Sequence, residues 1–334
     1  MTLLDDHQLA DGLDVMVRAH ARFELNGNTD SIGRLQGQGT LSFNGRSLPV
    51  RSGRLTVNSG ILSVFPGEII GNGGLTQDSA SSGGLDLSGT NTFSGTTILS
   101  GGLLQVEGVQ TNSPIRLNGG KLAGQGRVGT ITGNLGGTVQ PGFDGAALQN
   151  SLHSRDVTFN STTTFRPLLT LADPGFENSQ LQVSGAVNLS GSALDIELQF
   201  VPSPGRSFEI IDNDGADAVV ATFSGLPEGA IFNLPNTHLR WRITYAGGDG
   251  NDVVLTLAEI DYHPTMTSIT VDSLSIPGWQ TVRLSATCVA RGRDGNQSAP
   301  AGLDAAHGGK AVISSVARSQ LPELCPRTRL LCCR

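Results

Sequence analysis

Gly247-Gly248-Asp249-Gly250-Asn251-Asp252-Val253-Val254-Leu255 is the stretch whose spacing comes nearest to a recognisable chemistry. It fits the calcium-binding nonapeptide Gly-Gly-x-Gly-x-Asp-x-apolar-x, where the ion sits between turns and takes oxygens from two or more copies. This sequence offers one copy, so the stretch reads as a glycine-rich turn entering the strand Val253 to Leu257. Asp212-Asn213-Asp214-Gly215 begins like a calcium loop but lacks the closing glutamate, which makes it a polar turn after Ile211. Asp195 and Glu197 alternate on one face of a predicted strand. They are the best pair for glycoside cleavage, which needs one carboxyl as acid and another as base or nucleophile. A solvated strand face accounts for them equally well.

Nucleophilic chemistry has less to build on. The histidines, His7, His20, His153, His238, His263 and His307, are scattered, with no His-x-x-x-His and no Gly-x-Ser-x-Gly elbow. Gly124-x-Gly126-x-x-Gly129 matches a dinucleotide fingerprint as a string, yet no helix pattern follows it. Cys288, Cys325, Cys332 and Cys333 all lie in the last quarter without zinc-type spacing, so disulfides cannot hold the body together. These residues assign no catalytic, cofactor-binding or metal site, and no cofactor is expected.

The elements around these residues are short strands. Between Leu85 and Gly142, runs such as Thr97-Ile98-Leu99 and Leu103-Leu104-Gln105-Val106 alternate apolar and polar residues, and Gly or Asn-Gly closes nearly every run. That is the pattern of half-buried strands joined by tight turns; no window keeps a helical stripe. Similar runs occupy residues 21–65, and pieces recur. Leu25-Asn26-Gly27 returns at Leu117, Leu87-Ser88-Gly89 at Leu189, and Leu35 to Leu41 is echoed by Leu122 to Val128. Recurrence at this spacing marks a solenoid, in which stacking completes a core that no single coil can bury. From residue 155 to 257 the strands lengthen, consistent with a continuation that ends as a cap.

Composition agrees. The 334 residues include 45 glycines, about twice the usual share, with 15% charged and 5% aromatic residues. Residues 1–260 carry a net charge of −10, which argues against nucleic acid as a partner, whereas residues 261–334 carry +3. No apolar run is long enough for a transmembrane helix, and the first thirty residues show no signal-peptide pattern.

Asn91-Thr92-Phe93-Ser94-Gly95-Thr96-Thr97-Ile98-Leu99-Ser100-Gly101-Gly102-Leu103-Leu104-Gln105-Val106 resembles the autotransporter-associated β-strand repeat, Asn-x-Phe-(Ser/Thr)-Gly-x-Thr-x-(Ile/Val)-x-x-Gly-x-Leu-x-Val. In that motif Phe93 and Ile98 are expected to point inward, with Gly95 and Gly101-Gly102 turning the corners. The resemblance covers residues 85–142 strongly and 21–65 more weakly, and it stops near Leu257. It implies an all-β, right-handed parallel β-helix (β-solenoid) with a C-terminal β cap and a poorly ordered tail. The expected divisions are 1–20 undefined, 21–150 repeat β-helix, 151–258 continuation and cap, and 259–334 tail. The implied function is a structural, non-catalytic passenger of a bacterial surface or secreted protein, a stalk or adhesin-like scaffold meeting host or environmental glycan or protein surfaces. Its expected place is extracellular or on the outer-membrane surface, and no export partner is visible. A polysaccharide-active β-helix enzyme and a calcium-dependent secreted module are the alternatives.

Overall fold

The computed structural model describes residues 1–44, 52–79, 83–142, 150–170, 178–214 and 217–260, together with strands at 265–270, 282–290 and 312–315. Every regular element among them is a β-strand. None is a helix long and apolar enough to cross a membrane. The chain divides into two units, Met1–Ile260 and Asp261–Arg334.

The first unit is a parallel β-helix. Each coil contributes short strands to successive walls, and each strand pairs in parallel with its counterparts in the coils before and after. One wall has eight strands, from Thr29–Ile32 to Val187–Asn188, and a second has seven, from Leu62–Phe65 to Ala193–Leu194. The third begins as Arg22–Glu24, Thr40–Ser42 and Glu68–Ile70 and resumes from Val109–Gln110 to Ser207–Asn213.

Period-two alternation decides which side chains enter. In Leu62–Phe65, Ser63 and Phe65 are buried while Leu62 and Val64 face out. Because the strands pair in register, the inward residues form continuous columns. Leu55, Leu75, Thr97, Ile115, Ile131, Val157 and Val187 line the first wall. Leu85, Leu104, Leu122, Val139 and Phe165 line the second. Each such burial contributes about 1.5–3 kcal/mol. Polar members of a column are bonded in place. Thr97 Oγ1 accepts from Gln110 Nε2 and meets Ser113 Oγ, both at 2.8 Å.

The repeat motif sits as expected at Phe93, which is fully buried and lies 5.6 Å from the Phe43 ring. Ile98 departs from expectation. Thr97 and Leu99 take the two inward positions of their strand, so Ile98 between them faces out, opposite Thr76 and Arg116. The echo of Leu35–Leu41 in Leu122–Val128 has a spatial meaning, for both turn the corner from the second wall to the third. Gly37 (φ +101°) and Gly124 (φ +116°) occupy that corner, and a Cβ there would strike the Val17 and Val106 carbonyls of the coil below. Asparagines bond along the opposite corner: Asn134 Nδ2 donates to Asn118 Oδ1 (2.8 Å) and Asn160 Nδ2 to the Asn134 carbonyl (2.9 Å).

Both ends of the stack are tied. Asp30, 1% exposed, stands in an inward column and accepts the N–H groups of Gln8 and Leu9 through Oδ2, holding the N-terminal segment on the first coil. At the other end, Ser207–Asn213 pairs in parallel with Ser179–Val183 on one edge and antiparallel with Asp252–Ile260 on the other. The hairpin Leu239–Gly247 with Asp252–Ile260 thus converts the ladder into an antiparallel cap, as the longer strands anticipate. Its core joins Phe208 to Trp241 and Phe223 to Tyr245. Tyr245 Oη accepts the Phe223 N–H (3.0 Å) and donates to the Leu226 carbonyl (2.7 Å), and burial pushes its phenol up to about 12.

In the second unit, Thr265–Thr270, Val282–Ala290 and Val312–Ser315 form an antiparallel sheet. Glu259 and Ile260 of the expected tail end the cap strand Asp252–Ile260, and the rest of that tail lies outside the described residues.

Leu104→Ala removes a fully buried member of the second-wall column and is expected to lower the unfolding free energy by about 2–5 kcal/mol, read by urea denaturation. Tyr245→Phe, which strands one donor and one acceptor in the cap, is expected to cost about 1–3 kcal/mol in the same measurement.

Candidate functional site

The Gly247–Asp252 stretch is the turn of the cap hairpin. Gly248 (φ +52°) and Gly250 (φ +124°) take left-handed conformations, and the Gly250 N–H donates to the Gly247 carbonyl at 2.7 Å. Asp252 is 4% exposed and spends both oxygens on backbone donors: Oδ1 accepts from Asn213 N–H (2.8 Å) and Oδ2 from Asp249 N–H (3.3 Å). It therefore clips the hairpin to the last parallel strand. Asp212 and Glu209 lie on the outer side of that strand, and burial together with the Asp252 charge raises both carboxyls above their ordinary range. Gln180 Nε2 donates to Glu209 Oε1 at 2.6 Å. No group of three metal-ligating side chains assembles among the described residues. In Asp212-Asn213-Asp214-Gly215, Asn213 is buried and donates through Nδ2 to the Asp217 carbonyl, while Gly215 lies outside the described residues.

Asp195 and Glu197 do share a face, on either side of buried Ile196, but Arg166 stands between them. Its Nε lies 3.5 Å from Asp195 Oδ2 and 3.3 Å from Glu197 Oε2. A guanidinium so placed makes the two carboxylates partners in one surface ion pair, the arrangement of a solvated strand face. Gly124, Gly126 and Gly129 belong to strands and corners with no helix after them.

The histidines are dispersed. His7, His20 and His238 are exposed, and His153 lies on the third wall beside Arg127 and Gln182. Burial, then the Arg127 charge, lowers the His153 imidazole below its ordinary range and favours the neutral ring. His263, His307, Cys325, Cys332 and Cys333 lie outside the described residues, and of Cys288 only the strand is described.

A second carboxylate pair was not legible in the sequence. Asp86 pairs with Gln105 across adjacent coils of the second wall, and Gln105 Nε2 donates to Asp86 Oδ2 (3.3 Å). Glu107 follows two residues later on the same side, bonded to Gln125 of the next coil. Burial raises both carboxyls, and for Glu107 the Asp86 charge adds to it. The alternation in Leu85-Asp86-Leu87 and Gln105-Val106-Glu107 shows that these polar residues face out. That they meet depends on the coil register, which no alternation reveals.

Comparison with known proteins places the chain further. Over 199 residues, 58% of its length, it is 27% identical to an extracellular serine protease of Serratia marcescens. The match spans 18% of that protein. The chain is similar to part of an extracellular protease. The expectation of a chain without enzymatic activity is overturned by this match, because the relative is an enzyme. The lack of a Gly-x-Ser-x-Gly elbow and of His spacing carries no weight against it, because triads are set by geometry and not by a fixed string. No family model matches the chain, and the autotransporter-associated repeat stays a resemblance.

Asp252→Ala is expected to lower the unfolding free energy by about 1–3 kcal/mol by leaving the Asn213 and Asp249 N–H groups unmet. Asp195→Ala, at an exposed ion pair, should stay within about 0.5 kcal/mol of wild type. Chemical denaturation of the two variants side by side tests the contrast.

Proposed function

We propose that this chain is a β-helical segment of an extracellular bacterial passenger that works in proteolysis. In this reading its stacked coils act as a stiff stem that presents a hydrolytic centre to protein substrates. The observation that carries the reading is the 199-residue match to an extracellular serine protease, borne by a chain whose described body is one continuous stack of coils. The aliphatic columns support the stem role, since a core without gaps resists bending and local opening. The acidic body and outward polar residues suit exposure to water and contact with other polymers, so adhesive contacts with glycan or protein belong to the same proposal. An extracellular location follows from it.

The test pairs a serine-directed fluorophosphonate probe with a casein substrate, applied to this chain and to the chain joined to the remaining segments of a protease of the matched type. Labelling of one serine in the chain, with hydrolysis lost when that serine becomes alanine, would locate the nucleophile within it. Hydrolysis restricted to the joined protein, and lost when the coils are deleted, would support the stem role. No labelling and no hydrolysis in either form would overturn the proteolytic reading.

A further inference from the structure

The outer side of the second wall carries a mixed carboxylate and carboxamide network that the proposed function does not use. Asp86, Gln105, Glu107 and Gln125 occupy three successive coils. Gln105, 6% exposed, gives its amide to Asp86 Oδ2, and Gln125 bonds Glu107. That leaves Asp86 Oδ1 and Glu107 Oε1 buried without a hydrogen-bond donor. The neighbours on the packed strands do not compensate the charge. Val64 stands beside Asp86 on one side, and Ala123 lies beyond Gln105 on the other. Lys121 begins the next strand opposite Leu103, Arg127 is exposed on the third wall, and Asp14 with Arg34 forms its own pair at the first coil. Among the described residues, the charge acting on Glu107 is that of Asp86.

We propose that Asp86 and Glu107 keep one proton between them in mildly acidic surroundings and give it up towards neutrality, making the seam between Gly84–Leu87 and Leu103–Val106 a pH-responsive element. A protonated carboxyl gains an O–H and loses its charge, so one proton removes both the repulsion and part of the desolvation cost. Burial raises both carboxyls. The Gln125 hydrogen bond pulls Glu107 part of the way back, and Asp86 pushes it up again. The direction of the linkage follows. In the unfolded chain both groups lose their protons in the ordinary carboxylate range, whereas the folded pair holds one to higher pH. Between those limits the native state binds more protons, so stability falls as pH rises through the window and stays lower at neutrality.

The experiment is urea denaturation of the full chain at about pH 5 and about pH 7.5 for wild type, Asp86→Asn, Glu107→Gln and the double variant. Wild type should lose more of its midpoint between the two pH values than any variant. Each single amide variant should raise the midpoint at the higher pH and leave it nearly unchanged at the lower. The double variant should add little to either single one. Equal pH dependence in wild type and variants, or variants less stable at the higher pH, would overturn the proposal. Carboxyl 13C shifts followed against pH give a second readout that needs no variant: a proton retained above the ordinary carboxylate range supports the pair, and two ordinary titrations sink it.

Discussion

In-register parallel pairing between successive coils is the constraint on which the rest of this structure depends. Each strand of the first unit is two to nine residues long, too short to persist by itself. A strand becomes stable because the coils above and below saturate its backbone groups and place a like side chain over each inward position. The Leu85–Leu104–Leu122–Val139 column is the result: four aliphatic residues, distant along the chain, buried as one unit. Coil length can vary because turns absorb the difference, provided the inward residue returns to its column. The tight corners at Gly37 and Gly124 show how little freedom remains, since only glycine lets the backbone pass the carbonyl of the coil beneath.

The same constraint makes the ends costly, as an unfinished ladder exposes backbone donors and acceptors and invites association. The chain meets it differently at each end. At the start, a carboxylate is placed inside the stack, where Asp30 holds two backbone N–H groups of the N-terminal segment. At the finish, strand direction reverses, and an antiparallel hairpin with Trp241, Phe208, Phe223 and Tyr245 replaces the thin aliphatic core with an aromatic one. Asp252 belongs to this closure. Its glycine-rich turn has the spelling of a calcium motif, yet both oxygens are engaged by backbone amides that fasten the hairpin to the last coil.

Chemistry in such a fold lives on the outer walls, where side chains from neighbouring coils stand side by side. Asp195 and Glu197 acquire Arg166 this way, and Asp86 and Glu107 acquire each other. The chain is similar to part of an extracellular protease, and that similarity overturns the expectation of a chain without enzymatic activity.

The amino-acid sequence by itself determined the strand content, the solenoid, the recurrence of corners and the passage to a cap, because alternation and glycine placement are local properties written at each position. The resemblance to the repeat motif placed Phe93 inside, where it is fully buried. The same motif misjudged Ile98, because adjacent Ile98 and Leu99 leave the phase open and pairing with the neighbouring coils selects Thr97 and Leu99. Tertiary structure alone decided which outward residues meet. Coil lengths between Thr29 and Val187 vary, so the partner of Asp86 cannot be counted off along the chain. It follows from the register, and the register is fixed collectively by all the columns being filled at once.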